Sequence, residues 1–337
     1  MEYRSLGRTG VKVSSLCLGC MMFGGKTSPA DSYAIIDRAL DAGINFIDTA
    51  NVYNQGRSEE ATGEALKRNG KRDRVILATK VHGRMGEDIN NANNTRRHII
   101  QSVEDSLRRL QTDWIDLYQV HRPQSDMAID ETLRALDDLV RSGKVRYLGA
   151  STFAAWQLVE SLWVSKEYGL NRFVCEQPPY NLLDRRIERE LLPMAQTYGF
   201  GIIPWSPLAG GLLTGKYSRN EPPPEDSRYF NAENNPNPVY RRRWSSNFWD
   251  VIEGLEEIAR GKGVSMSQLS LAWCMQQPGV TSPIIGPRTM EQFEDNLKAA
   301  DVSFSEEELR AIDRVIPPGT NVTPYYEADW AAAQYRW

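Results

Sequence analysis

Four ionisable side chains fall where a protein of alternating strands and helices would gather its chemistry. Asp48 stands at the end of the apolar run Ile44 to Thr49, Lys80 follows Val75 to Thr79, and His121 follows Trp114 to Val120. Tyr53 lies in the segment just after Asp48. In a barrel of parallel strands the loops at the strand ends converge on one mouth, so four such groups would meet there. Groups so gathered suit proton transfer, and a lysine among them could instead attack a carbonyl as a Schiff-base nucleophile. Each strand-borne member shares parity with residues of its own strand: Asp48 with Phe46 and Ile44, Lys80 with Ala78 and Ile76, His121 with Gln119 and Leu117. That alternation suits side chains pointing inward.

Taken singly, each residue has a plainer explanation. Asp48 could cap the next helix, Lys80 could be a solvated loop lysine, Tyr53 a packing aromatic and His121 a core histidine satisfied by backbone. Their joint placement is what points to a site.

The elements that must carry them are short apolar runs alternating with helical periodicities along almost the whole chain. The strand-like runs are Ser14 to Met21, Ile44 to Thr49, Val75 to Thr79, Trp114 to Val120, Val145 to Ser151, Phe173 to Gln177, Gly201 to Ser206 and Thr281 to Ile285. Amphipathic segments such as Ser32 to Ala42, Ser58 to Arg68, Arg96 to Leu110, Ile129 to Arg141 and Ile187 to Tyr198 lie between them. This alternation predicts a parallel sheet with right-handed crossovers, and eight strands suggest closure into an α/β (β/α)8 TIM barrel. No G-x-G-x-x-G follows the first run, and VILAT and NFIDT are almost continuously apolar, as strands buried on both faces are. Both points speak against an open dinucleotide-binding sheet.

Tyr3 to Leu6 and Val11 to Val13 flank Gly7-Arg8-Thr9-Gly10, which reads as an N-terminal β-hairpin capping one end of the barrel. The stretch 218–247, with PPP, NNPNP and RRR, is too long for a simple connector and reads as a lid over the mouth. The tail 318–337 holds Tyr325, Tyr326, Trp330, Tyr335 and Trp337, expected either to pack on the body or to line a pocket. Residues 1–337 are read as a single domain, since α/β barrels routinely exceed the usual domain length.

Composition narrows the partners. Lys+Arg 40 against Asp+Glu 44 leaves a formal charge of -4, so no bulk basic surface marks a nucleic-acid or anionic-membrane protein. No apolar run approaches the ~18 residues of a membrane span. The charged start MEYRSLGRTG lacks the apolar core of a secretion signal, and a cytoplasmic protein is expected. Four cysteines are too few for a disulfide scaffold. Cys17 and Cys20 sit three apart within an apolar strand run, and Cys175 and Cys274 stand alone, so no zinc set is indicated. With only His82, His98 and His121, scattered along the chain, no metal is expected at the site.

GINFIDTANVYNQGRSEEATGEAL (43–66), VILATK (75–80), DLYQVHRP (116–123), GASTF (149–153), WSPLAGGLLTGKY (205–217) and PIIGPRTMEQFEDN (283–296) occur in this order. Together they resemble the aldo-keto reductases, over about residues 1 to 315, with a likeness to bacterial members and to potassium-channel β subunits. The resemblance implies reduction of an aldehyde or ketone, of sugar-like or small type, by NADPH, with Tyr53 as general acid. A phenol titrates near 10, about three units above what an acid useful at neutrality needs, a gap of roughly 4 kcal/mol. A nearby cation such as Lys80 lowers a phenol by about one to three units. Asp48 would keep that lysine charged, and His121 would orient the carbonyl oxygen.

The same resemblance implies NADP(H) held without a Rossmann turn. Trp205 matches the aromatic stacked on nicotinamide, followed by Ser206, Pro207 and Leu208, while Ser151 and Gln177 match the groups that hold the carboxamide. The family usually has asparagine where this chain has Thr152, which puts a carboxamide contact by residue 152 in doubt. Gly210 to Lys216 mimics a P-loop, but Tyr217 replaces the magnesium-holding Ser/Thr; backbone amides around Gly210, Gly215 and Lys216 would instead wrap the pyrophosphate. After the last strand, backbone amides from Gly286 onwards would face an anion of the cofactor, Arg288 would pair with the 2'-phosphate, and Gln292 and Asn296 would hold the adenine side. Two other readings stay open at this point: a cofactor-binding regulatory barrel similar to channel β subunits, and an aldolase using Lys80. The expected partner is a small carbonyl compound, with self-association left open.

Overall fold

The computed structural model describes residues 1–225, 227–230 and 247–322. The chain opens with the antiparallel hairpin β1 (Tyr3–Ser5) and β2 (Lys12–Ser14), Tyr3 opposite Ser14. Eight parallel strands follow: β3 (Cys17–Gly19), β4 (Phe46–Asp48), β5 (Ile76–Val81), β6 (Ile115–Val120), β7 (Val145–Ser151), β8 (Phe173–Gln177), β9 (Gly201–Ile202) and β10 (Ile284–Ile285). They form one sheet in the order β10-β3-β4-β5-β6-β7-β8-β9. The fold is thus α/β, an eight-stranded parallel sheet with helices around it. Backbone bonds also run between the segments at the two ends of the ladder, from Thr281 N to Ile202 O (2.7 Å) and from Ile284 N to Pro204 O (2.8 Å).

Six helices alternate with the strands from β3 to β9: α1 (Pro29–Asp41), α2 (Arg57–Asn69), α3 (Arg96–Leu110), α4 (Ile129–Arg141), α5 (Ala155–Tyr168) and α6 (Leu191–Tyr198). Among the described residues α7 (Phe248–Lys262) and α8 (Met266–Gln276) precede β10, and α9 (Met290–Leu297) and α10 (Glu306–Val315) follow it. None of the described helices is long and apolar enough to cross a membrane. Caps start them where the sequence supplies them: Ser28 Oγ accepts from Asp31 N (3.1 Å), with Pro29 in the first helical turn.

Strand parity divides the apolar residues into two clusters. Phe46, Ala78, Leu117 and Cys175 lie with Leu6 and Val13 of the hairpin, whereas their neighbours Ile47, Leu77 and Tyr118 pack with the helices. Cys17 and Cys20 fall in different clusters. The hairpin tip packs tightly on the sheet: Gly7 has φ +56, and a Cβ there would lie 2.4 Å from Val174 O. Only glycine fits that combination of close approach and left-handed backbone.

Several boundaries differ from the sequence reading. Ser14 belongs to the hairpin, and the first barrel-type strand begins at Cys17. Of Gly201 to Ser206 only Gly201–Ile202 pairs continuously, because Pro204 has no N–H to donate; pairing returns as an isolated bridge between Pro179 and Trp205. The helix expected from Ile187 begins at Leu191, which keeps Pro193 in its first turn, where a missing N–H costs nothing. Most of the expected lid (226 and 231–246) and the tail aromatics Tyr325, Tyr326, Trp330, Tyr335 and Trp337 lie outside the described residues.

One buried ion pair joins three layers. Glu59 on α2 is fully buried, accepts from Thr79 Oγ1 (2.5 Å) and from Arg109 Nε of α3 (2.7 Å), and so ties both helices to β5 one residue before Lys80. Arg109→Ala leaves that carboxylate buried without its cation, which typically costs about 3 kcal/mol at a partly exposed pair. Urea unfolding at pH 7 measures it, and a loss below about 1 kcal/mol, the range of a surface pair, would reject the claim.

Candidate active site

The strand registers bring the four ionisable groups together. Gly19 pairs with Asp48, Asp48 with Ala78, and Lys80 with Gln119, so Asp48, Lys80 and the residues around His121 stand at one end of neighbouring strands. Lys80 is fully buried and Asp48 nearly so. The Lys80 ammonium pairs with Asp48 Oδ1 and donates to Thr49 O at 2.8 Å and to Tyr53 Oη at 3.5 Å. The His121 ring stands edge-on to Tyr53, centroids 5.6 Å apart.

Burial works against the charge on Lys80, but Asp48 and then Tyr53 outweigh it and hold the ammonium above the usual lysine value. A lysine so held keeps its proton, which argues against a Schiff-base nucleophile. Burial, with the charges of Arg122 and Lys80, keeps His121 well below the ordinary imidazole value. It is therefore a neutral ring at neutral pH, able to donate one hydrogen bond.

Tyr53 sits on a short turn in which Asn54 (φ 50) and Gln55 (φ 58) are left-handed. Asn54 Nδ2 donates to Met21 O (3.0 Å) and Phe23 O (2.8 Å), so the loop after β3 clamps the turn carrying the phenol.

Beneath the four lies a layer in which Gln177, expected at the carboxamide, is joined by Gln119, to which sequence reasoning gave no role. Gln119 Nε2 (2.9 Å) and Gln177 Nε2 (3.0 Å) both donate to Asp48 Oδ2, and Gln177 Nε2 also donates to Gln119 Oε1 (3.1 Å). The signal for Gln119 was its parity with His121, a polar side chain where an inward residue of β6 would otherwise be apolar. Its partner Asp48 is 71 residues away, so no local pattern could reveal the bond.

The nicotinamide-type residues named from the sequence are also adjacent. Ser151 Oγ donates to Gln177 O (2.9 Å) and lies 3.3 Å from Thr152 Oγ1. Thr152 is left-handed (φ 67), and Arg122 Nη1 donates to its Oγ1 (3.1 Å) and to His121 O (2.6 Å). The Arg122 guanidinium lies 5.9 Å from the centre of the Trp205 ring. Trp205 follows β9, its backbone N–H donating to Pro178 O (2.9 Å). Ser206 is left-handed, Pro207 buried and Leu208 half-buried; Gly210 is left-handed, and Gly215 and Lys216 are exposed.

Gly286 and Arg288 precede α9, Gln292 lies in its first turn and Asn296 in its last. Register places Ile285 beside Leu18 and Gly19 beside Asp48, so the start of this segment shares the Asp48 end of the sheet. Gln292 Oε1 accepts from Arg288 N (2.8 Å), Thr27 Oγ1 donates to Arg288 O (3.1 Å), and Asn296 is buried.

Behind the site, Glu176 on β8 points to the other side of the sheet from Gln177 and is fully buried. Its Oε1 accepts from Phe153 N (3.1 Å), yet burial still pushes its carboxyl up to about 8.

Residues 15–317 match the profile described as Aldo/keto reductase family. The chain belongs to that family. It is 38% identical over 333 residues to an uncharacterized oxidoreductase of Bacillus subtilis, covering 96% of this chain and 98% of that one. It is 39% identical over 305 residues to a probable voltage-gated potassium channel subunit beta of rice (90% and 92% covered) and 34% identical over 342 residues to versiconal hemiacetal acetate reductase of Aspergillus parasiticus (94% and 98% covered). As an aldo/keto reductase it is an oxidoreductase of a family associated with NADP(H).

The site fits that cofactor. Both hydrogens of the Gln177 amide nitrogen are engaged by Asp48 and Gln119, and its Oε1 accepts no bond from a described residue although the residue is 2% exposed. That oxygen retains surface of its own, so it is open to a donor from a ligand, and a carboxamide N–H is a suitable one.

Proposed function

We propose that this aldo/keto reductase converts an aldehyde or ketone, of sugar-like or small type, to an alcohol with NADPH, within one domain whose sheet closes as a (β/α)8 barrel. The observation that carries the reading is the Tyr53 hydroxyl, 3.5 Å from an ammonium that is itself paired with Asp48. Closure is supported by the bonds from Thr281 and Ile284 to Ile202 and Pro204.

Bound NADPH supplies the hydride. Tyr53 gives its proton to the carbonyl oxygen, and the Lys80 charge stabilises the phenolate left behind. Asp48 fixes the direction of Lys80 and balances its charge in a dry site. Neutral His121 donates to the carbonyl oxygen and orients it. Ser151 and Gln177 would hold the carboxamide with Thr152 beside them, Trp205 would stack on the ring, and Ser206, Pro207 and Leu208 would line its edge. Backbone around Gly210, Gly215 and Lys216 wraps the pyrophosphate. Gly286, Arg288, Gln292 and Asn296 take the adenosine end, Gln292 by fixing the Arg288 backbone.

The reading is tested by following NADPH consumption across aldehydes, ketosugars and aromatic ketones, with NADH alongside. Arg288→Ala is expected to raise KM for NADPH by about ten- to a hundredfold and to change that for NADH by less than about twofold, the worth of one charge-assisted phosphate contact. Equal losses with both cofactors would remove the assignment of Arg288. The likeness to channel subunits favours a second reading, a cofactor-binding regulatory barrel; binding of NADPH with no turnover on any carbonyl of the panel would select it.

A further inference from the structure

We propose that Gln119 is a positioning residue that locks the amide of Gln177 so that it meets the cofactor only as a hydrogen-bond acceptor. This rests on the reading that Gln177 faces the nicotinamide carboxamide. Asp48 is salt-bridged to Lys80 through Oδ1, and its Oδ2 receives both glutamine amides. A carboxylate accepts and cannot donate, so each amide must turn its nitrogen towards it. With its nitrogen on Asp48, Gln119 has its carbonyl at the other end, where it takes the second hydrogen of Gln177 Nε2. Flipping Gln177 would bring its oxygen against Asp48 Oδ2 and against Gln119 Oε1, two acceptor–acceptor clashes in a dry layer.

The triangle therefore fixes polarity as well as place. Gln177 is left with one hydrogen-bonding atom to offer a ligand, Oε1, and that atom requires a donor. The nicotinamide carboxamide carries one, its NH2 group, so the amide of the cofactor must turn its nitrogen towards Gln177. The fold makes room for the lock: a Cβ on Gly149 would lie 2.9 Å from Gln119 Cγ and 2.8 Å from Cys175 Sγ. Asp48 thereby serves two ends, steadying Lys80 through one oxygen and the carboxamide contact through the other.

The test is a binding measurement that needs no turnover. The 3-acetylpyridine analogue of NADP+ replaces the carboxamide NH2 with a methyl group and keeps the oxygen. Dissociation constants for NADP+ and the analogue are measured by calorimetry on the wild type, on Gln119→Met and, should methionine not fold, on Gln119→Leu. The wild type is expected to prefer NADP+ by about tenfold, the worth of one hydrogen bond at the cofactor's carboxamide. Without Gln119 the second hydrogen of Gln177 Nε2 loses its acceptor and one of the two clashes that oppose the flip is removed, the one at Asp48 remaining, so the preference is expected to narrow to about threefold. A folded variant that keeps the tenfold preference overturns the lock, as does a wild type that binds both equally. Failure of the wild type to bind either dinucleotide would instead overturn the cofactor reading, and this inference with it.

Discussion

Tyr53→Phe is expected to lower kcat by about a thousandfold while NADPH binds within about twofold of wild-type affinity, the loss expected when a positioned general acid is removed. The substitution deletes one oxygen and leaves the ring that stands edge-on to His121 and 5.0 Å from Lys80 Nζ. Nothing that would hold the cofactor is disturbed, so the effect falls on the chemical step. Lys80 cannot take over, because Asp48 holds its proton, and neutral His121 has one hydrogen to share and no charge to relieve. Single-turnover kinetics and a fluorescence titration of NADPH separate the two quantities. Activity within tenfold of wild type would remove Tyr53 from the acid role.

Glu176→Gln should change how stability depends on pH. The carboxyl has a folded value of about 8 against the ordinary 4.5, because burial penalises its charge more than the Phe153 N–H and Arg122 relieve it. A raised carboxyl contributes fully below its unfolded value and loses that contribution as pH climbs to the folded one. Wild-type stability should therefore decline between pH 4.5 and 8, by roughly 4 kcal/mol from this group alone. Glutamine keeps the shape and the acceptor for Phe153 and carries no charge, so the difference between variant and wild type should grow across that window in the variant's favour. His121, depressed in the folded state, acts in the opposite sense below its unfolded value near 6.5 and cancels in the comparison. Urea unfolding at pH 5 and pH 8 decides the matter. An equal difference at both would mean that Glu176 is charged in the fold.

The parallel sheet was legible because strands buried on both faces announce themselves: VILAT and NFIDT lie in β5 and β4. The edges were less so. Pro204 ends β9 early and Pro193 delays α6, effects that hang on one missing N–H each and hide inside otherwise good patterns. The site was half legible. Asp48, Lys80 and His121 stand at strand ends, where position along the chain is enough to group them. Gln119, Arg122 and Glu176 owe their importance to partners on other strands, such as the Arg122 bond to Thr152 thirty residues on, and no local spacing encodes that.

The clamp on the Tyr53 turn bears on substrate range. Two left-handed residues and the paired bonds of Asn54 to Met21 and Phe23 hold the backbone that carries the phenol before any reactant arrives. A hydroxyl anchored in this way has little reorganisation left to do as charge develops beside it. Breadth of substrate must then come from how each carbonyl settles against an unmoving proton, and selectivity from the walls around it.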